Sequence, residues 1–107
     1  MTTAAILPIS NQFENNPREE TLQLKIFDKF VLKASCFYLV EDDHAAIYEP
    51  QAMEAGYLSK MVNHLKSKYG SVVLLYVQTE QEKSLALKLK KANLISDALD
   101  NDYESIF

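Results

Sequence analysis

The segment 50–94 constrains the fold of this chain most strongly, because its pattern of apolar residues changes from helical to strand periodicity and back. Its first part predicts a helix that Pro50 begins and Gly70 ends. The run 72–77, VVLLYV, is apolar without alternation, which is typical of a strand buried on both faces of a parallel sheet. The apolar positions at helical spacing in the first part are Leu58, Met61, Val62 and Leu65.

A second helix is predicted after this strand. Thr79 and Glu82 have the spacing of a capping box, in which each side chain bonds a backbone N–H group at the helix start. Acidic residues open the segment, and Lys88, Lys90 and Lys91 close it, as the helix macrodipole favours. The segment 50–94 therefore predicts a helix, a strand and a helix.

Three strands are predicted before that segment. Residues 22–26 alternate apolar and polar side chains, which indicates a strand with one buried face. The run 30–40 is β-branched, aromatic and more fully apolar, and the run 45–48 follows a polar turn and ends before Pro50. The predicted fold class is α/β with a mixed, α+β type sheet: a three-stranded antiparallel meander followed by helix, strand and helix.

The two ends are predicted to lie outside this single domain. Residues 1–20 form an N-terminal arm and loop, in which 2–9 are an edge strand or a docked arm and 11–20 are a polar loop. Residues 21–95 form the domain. Residues 96–107 form an acidic tail, or a short element whose apolar end docks on the domain.

The net charge of the chain limits the classes of partner that it is expected to bind. Eleven basic and 15 acidic residues give a net charge of −4, which favours neither nucleic acid nor an anionic membrane as a partner. Residues 1–13 lack the pattern of a signal peptide, and the apolar runs are shorter than the ~20 residues that span a bilayer. With Cys36 as the only cysteine, these features predict a cytoplasmic protein without an intrachain disulfide.

The element order over residues 22–94 resembles the core of the GNAT family of N-acetyltransferases. The resemblance continues without a gap from Pro50 through the letters GYLSK at 56–60 to KANL at 91–94. It implies acetyl-CoA as the cofactor and a small-molecule or peptide amine as the acetyl acceptor. It also implies that backbone N–H groups at the first helix hold the cofactor's pyrophosphate.

The resemblance assigns the cofactor contacts by position to Ile47, Tyr48, Glu54, Ala55, Gly56, Leu58, Ser59 and Thr79.

The chain departs from the family pattern at the chemical positions. Met53 stands at the family's Arg or Gln position and Glu54 at its first Gly; taking Gln51 as the first motif residue leaves Glu54 in a Gly position. A carboxylate there competes with the anion that the site holds. Leu89 stands where many members have a Tyr general acid, so no catalytic residue is assigned.

The acidic cluster before the first helix is the other candidate site. It has two interpretations: a solvated turn, which explains its first four residues, or a catalytic site in which His44 is the general base. Cys36, His44 and His64 lack metal-ligand spacing, so no metal is predicted. The cluster consists of Glu41, Asp42, Asp43, His44 and Glu49.

Two functions remain open from the sequence. The first is a small GNAT-like acyltransferase that moves acetyl from acetyl-CoA to an amine. The second is a non-catalytic interaction or regulatory module on a degenerate GNAT-like or other α/β scaffold. An open sheet edge in so small a domain is compatible with a homodimer or a complex with a protein partner.

Overall fold

The structure is a computed structural model, and it describes residues 2–8, 21–100 and 104–107. Six strands form one sheet in the order β1 to β6, with the first four antiparallel and β4, β5 and β6 parallel. The predicted mixed α/β fold is therefore confirmed. The elements are β1 (Thr2–Pro8), β2 (Leu22–Asp28), β3 (Val31–Val40), β4 (Ala45–Ala52), α1 (Tyr57–Tyr69), β5 (Val72–Leu74), α2 (Glu80–Lys91) and β6 (Asp97–Ala98).

The predicted meander is present as β2, β3 and β4. Lys29 and Phe30 connect the first two strands, and both have positive φ angles, 52° and 69°. Two consecutive left-handed residues give a tight hairpin turn that matches the twist of the strands. The second strand therefore begins at Val31, one residue later than predicted, and the Phe30 side chain is fully exposed.

The predicted helix start at Pro50 is wrong. Pro50 lies within β4, which continues to Ala52, and α1 begins only at Tyr57, after Gly56 at φ 90°. The β3–β4 register shifts between Ser35 and Phe37, so β4 carries a bulge opposite this part of β3. A bulge is one of the places where a sheet tolerates proline, because the missing N–H group is not needed for the ladder.

One apolar core joins both helices to one face of the sheet. α1 packs across β2, β3, β4 and β5, and α2 adds Ala86 and Leu89 to the same cluster. Alternate residues of β2 and β3 point into this core, which explains the period-two pattern of β2. The largest fully buried side chains are Tyr38, Leu24, Ile47, Met61, Leu65, Val62, Val72, Val77 and Cys36.

The predicted end of α1 is confirmed, but the predicted length of β5 is not. Gly70 ends the helix at φ 92°, and its N–H group donates to the Lys66 carbonyl. β5 stops at Leu74 rather than at residue 77. Tyr76 has φ 59°, a left-handed conformation that a continuous strand does not contain. The parallel pairing of β5 with β4 is confirmed.

The predicted capping box begins α2. The Thr79 hydroxyl accepts from the Glu82 N–H group at 3.1 Å, and a Glu82 carboxylate oxygen accepts from the Thr79 N–H group at 2.9 Å. That backbone donation from Thr79 lowers the pKa of Glu82 below its ordinary value. The segment 79–82 is therefore fixed by local hydrogen bonds at the place where α2 meets the sheet.

Replacing Thr79 by alanine is expected to lower the free energy of unfolding by about 1 kcal/mol, because one backbone donor of α2 loses its acceptor. Thr79→Ser keeps an oxygen at the same place and should retain most of that stability. Urea denaturation of both variants tests the prediction. If both variants lose the same free energy of unfolding, the hydroxyl oxygen at position 79 does not stabilise α2.

Both chain ends add to the sheet beyond the predicted 21–95 domain. β1 pairs antiparallel with β2 and is an edge strand, one of the two predicted alternatives. At the other end, β6 pairs with β5, and Ile106 packs against the core while its N–H group donates to the Ala98 carbonyl. The predicted loop at 11–20 lies outside the described residues. Neither described helix combines the length and the apolar character that crossing a membrane requires.

Candidate functional site

A cleft opens where β4 and β5 stop pairing. Their parallel ladder covers only residues 45–47 of β4 and 72–74 of β5, with one further hydrogen bond from the Leu75 N–H group to the Ile47 carbonyl. β4 then continues for five residues while the chain after Leu75 takes another course. The cleft measures about 800 Å³, within the size range of small-molecule sites.

Aromatic and aliphatic side chains form most of the cleft wall. The Phe37 and Tyr48 rings stack at a centroid distance of 5.5 Å, and Tyr76 meets Tyr48 edge-on at 5.8 Å. Leu39 and Leu85 line the same space from β3 and α2. Phe37 stands on the sheet face opposite the two helices, because it occupies the β3 position between the buried residues Cys36 and Tyr38, and Tyr48 is its partner on β4.

Two residues of the cleft have an unusual backbone conformation. Glu49 has φ 50° and Tyr76 has φ 59°, and they stand on opposite sides of the cleft. The other described non-glycine residues with positive φ have local reasons for it. Lys29 and Phe30 form the β2–β3 turn, and Asn93 follows the end of α2, where a left-handed residue is common. Left-handed conformations cost free energy for a residue with a side chain and concentrate at functional sites.

Among the described residues that line the cleft, every charged side chain is acidic. They are Glu49 and Glu82, and no Lys, Arg or His accompanies them. Glu82 is held by the capping box, whereas Glu49 forms no hydrogen bond or ion pair with another described residue and is exposed. The cleft therefore combines an aromatic wall with the exposed carboxylate of Glu49.

A second, more open groove of about 540 Å³ lies between the start of α1 and the side of α2. Gly56 is the N-cap of α1 and supplies no side-chain acceptor, and the first turn of the helix contains no acidic residue. The first N–H groups of an α-helix have no acceptor within the helix, so this end attracts anions. Lys88 of α2 lines the same groove.

The carboxylate of Glu54 is paired with a lysine. Lys33 Nζ lies 2.5 Å from Glu54 Oε1, across 21 positions of sequence. Lys33 and Lys60 also flank the Tyr57 ring, with Nζ atoms 5.9 Å and 4.8 Å from its centroid. Two ammonium groups therefore lie near the start of α1, and one of them, that of Lys33, is paired with the Glu54 carboxylate.

Tyr57 fixes this helix start to the β2–β3 hairpin. Its hydroxyl donates to Asp28 Oδ2 at 2.6 Å. This hydrogen bond raises the pKa of Tyr57 to about 12 and lowers that of Asp28. The position of the first turn of α1 thus depends on a contact with residue 28 as well as on its own sequence.

The structure brings five of the eight predicted cofactor contacts together. Tyr48 lies instead in the cleft, Ile47 is fully buried in the core, and Thr79 is committed to the capping box. Leu89, at the family's general-acid position, is buried in the core. The five that share the groove are Glu54, Ala55, Gly56, Leu58 and Ser59.

The structure separates the predicted acidic cluster into two places. Glu41, Asp42 and Asp43 are exposed in the β3–β4 turn, and His44 Nδ1 lies 2.8 Å from Asp43 Oδ1. Glu49 belongs to the cleft instead. Within the described parts of the chain, no three His, Cys, Asp or Glu side chains gather as metal ligands do.

Comparisons with protein-family models, with curated proteins and with solved structures found no match to this chain.

Most of the cleft wall was not predicted from the sequence. Glu49 was assigned to the acidic cluster, and Phe37, Tyr76 and Leu85 were given no role at a site. Pro50 after Glu49 was the available signal, because proline within an apolar strand marks a bulge. Nothing in the sequence indicated the left-handed conformation of Tyr76.

Proposed function

We propose that this protein binds an acyl-CoA, with acetyl-CoA as the expected cofactor, and transfers the acyl group to an amine in the cleft between β4 and β5. The observation that carries the proposal is this cleft, because separated parallel strands create a small-molecule site next to a helix start. The cofactor supplies an acyl group already activated as a thioester.

The groove at the start of α1 supports the phosphate end of this proposal. Its uncapped N–H groups and Lys88 suit a pyrophosphate, and a Cβ at Gly56 would have no neighbouring atom within 4 Å, so the approach to the backbone is open. Lys33 offsets the opposing charge of Glu54. Residues 54–59 and Lys88 are thus the groups that would hold the cofactor.

The chain's own residues support direct transfer rather than a covalent intermediate. The only thiol, Cys36, is buried, and burial raises its pKa to about 12, so it is not a nucleophile at neutral pH. The acceptor, as its neutral amine, would attack the thioester carbonyl within the cleft; the amide C–N bond forms as the thioester C–S bond breaks, and CoA leaves as the thiol with a proton from the amine. The aromatic wall gives the body of the acceptor an apolar surface, and the carboxylate of Glu49 orients its ammonium group before the amine loses a proton to water.

The second proposed function is a non-catalytic interaction module, which the free edge of β1 favours. β1 pairs only with β2 among the described strands, and its Thr2, Thr3 and Ala4 side chains are exposed. An uncharged edge strand of seven residues is a template for pairing with another chain. Binding of acetyl-CoA decides between this function and the first.

Replacing Lys88 by glutamine is expected to weaken acetyl-CoA binding about three- to tenfold, because the groove loses its lysine contact to phosphate. Lys83→Gln is the matched control, since Lys83 lies on the same helix outside the groove and is 3.8 Å from Glu80. Calorimetric titration of both variants gives the affinities. Equal affinities in the two variants would remove the groove from the proposal.

A further inference from the structure

The aromatic residues of the cleft are arranged around one exposed ring. Tyr76 is 44% exposed although it stands edge-on to Tyr48, which itself stacks on Phe37. An exposed ring supported by two others offers a flat apolar surface to a ligand. The faces of such rings are electron-rich and attract cations as well as apolar groups.

The negative charge of the cleft favours cationic ligands over neutral and anionic ones. Glu49 and Glu82 are its charged lining residues in the described part of the chain, so an anionic ligand would enter against two carboxylates. A neutral ligand would gain the apolar contact but nothing from Glu49. A cation gains from the rings and from the carboxylate together.

The backbone adds an independent reason to assign Glu49 and Tyr76 to one site. Both residues hold left-handed conformations, Glu49 at φ 50° within β4 and Tyr76 at φ 59° in the segment that follows β5, and both line the cleft. A bulge in β4 changes the direction in which Glu49 would otherwise point, because the bulge interrupts the alternation of side chains along the strand. Both unusual conformations therefore serve the same cleft.

We propose that the cleft between β4 and β5 binds an organic ammonium ion with an aromatic or aliphatic body, with the body against Tyr48 and Tyr76 and the ammonium group beside the Glu49 carboxylate. This site deepens the proposed function, on which it rests for its role in catalysis, by naming the class of the acceptor. Arylalkyl amines are the members of this class that fit both the rings and the carboxylate.

The probe is 2-phenylethylammonium, added to the full chain at neutral pH and followed through backbone amide chemical shifts without any CoA. We expect saturable shifts at residues 48, 49 and 75–78. Two compounds of similar shape separate the contributions: 2-phenylethanol is neutral and 3-phenylpropionate is anionic. The ammonium compound is expected to bind at least about tenfold more tightly than either of them.

Variants test the two halves of the site. Glu49→Gln keeps the shape of the side chain and is expected to weaken 2-phenylethylammonium binding about tenfold, with no effect on 2-phenylethanol. Glu41→Gln is the matched control, because it removes an exposed carboxylate of the β3–β4 turn on the same sheet. Equal binding of the amine by both variants would overturn the role of Glu49.

The aromatic half has its own pair of variants. Tyr76→Leu is expected to weaken binding of the ammonium probe about three- to tenfold, whereas Tyr76→Phe retains the ring and should bind normally. The two changes alter the same backbone position, so a difference between them reports on the ring rather than on folding. If leucine binds the probe as well as phenylalanine does, the aromatic wall is not part of the site.

These outcomes are separate from those of the acyl-CoA proposal. Acetyl-CoA binding without a response to any of the three probes would overturn the ammonium site and leave the cofactor proposal standing. Selective binding of 2-phenylethylammonium without acetyl-CoA binding would support the site and overturn the proposed reaction. Equal binding of the ammonium compound and 3-phenylpropionate would overturn the assignment of the ligand class.

Discussion

Replacing Leu65 by alanine is expected to lower the free energy of unfolding by about 2–5 kcal/mol, because it opens a cavity at the centre of the core. Leu65 is fully buried on α1, the helix that packs across β2, β3, β4 and β5. A domain of this size has a stability of only about 5–15 kcal/mol, so the variant is expected to lose a large part of it.

The matched control for this change is Ser67→Ala. Ser67 lies on the same helix but is exposed, so its replacement should change the stability by less than about 0.5 kcal/mol. Urea denaturation followed by circular dichroism gives both values. A loss below about 1 kcal/mol for Leu65→Ala would mean that α1 does not close the core as described.

Replacing Cys36 by aspartate is expected to unfold the protein at neutral pH. Cys36 is 1% exposed, pairs with Leu24 across β2 and β3, and lies in a cluster whose buried members are all hydrophobic residues. An isolated carboxylate at such a place has no partner, and changes of this kind cost more than about 4 kcal/mol. The same burial raises the pKa of the Cys36 thiol, because a charge at this position would lose its contact with water.

The aspartate variant is also expected to recover part of its stability in acid. Burial raises the pKa of a carboxyl group in the folded state, so the folded state binds its proton more tightly than the unfolded chain does. The variant is therefore most stable below about pH 4, the ordinary pKa of Asp, and loses stability as the pH rises from there.

Denaturation at pH 4 and pH 7 measures this effect, with Cys36→Ala as the control that removes the thiol without adding a charge. Both variants should show a cooperative unfolding transition at pH 4, whereas only Cys36→Ala should show one at pH 7. A transition of the aspartate variant that is as stable at pH 7 as at pH 4 would contradict the burial of residue 36.

The features that the sequence predicted correctly are those set by neighbouring residues. Thr79 and Glu82 are three positions apart and cap α2 without help from the rest of the chain. Gly70 ends α1 because glycine adopts φ 92° without steric cost. The alternation in β2 follows from a single buried face. Each of these signals acts within one turn or one strand.

The features that were missed depend on contacts between distant segments. Pro50 fits both a helix start and a strand bulge, and only the pairing of β4 with β3 decides between them. Tyr76 leaves β5 because its backbone is left-handed, which its apolar neighbours do not reveal. The candidate site shows the same limit, since the ion pair of Glu54 with Lys33 joins residues 21 positions apart.

The acyl-CoA proposal is tested most directly by titrating acetyl-CoA into the labelled protein and following every assigned backbone amide. Saturable shifts are expected in two places, at residues 54–59 beside Lys88 and at residues 48, 49 and 75–78 of the cleft. A parallel titration with CoA should reproduce the first set and weaken the second, because CoA lacks the acyl group. No saturable shift at millimolar acetyl-CoA, or shifts confined to other surfaces, would contradict the proposed function.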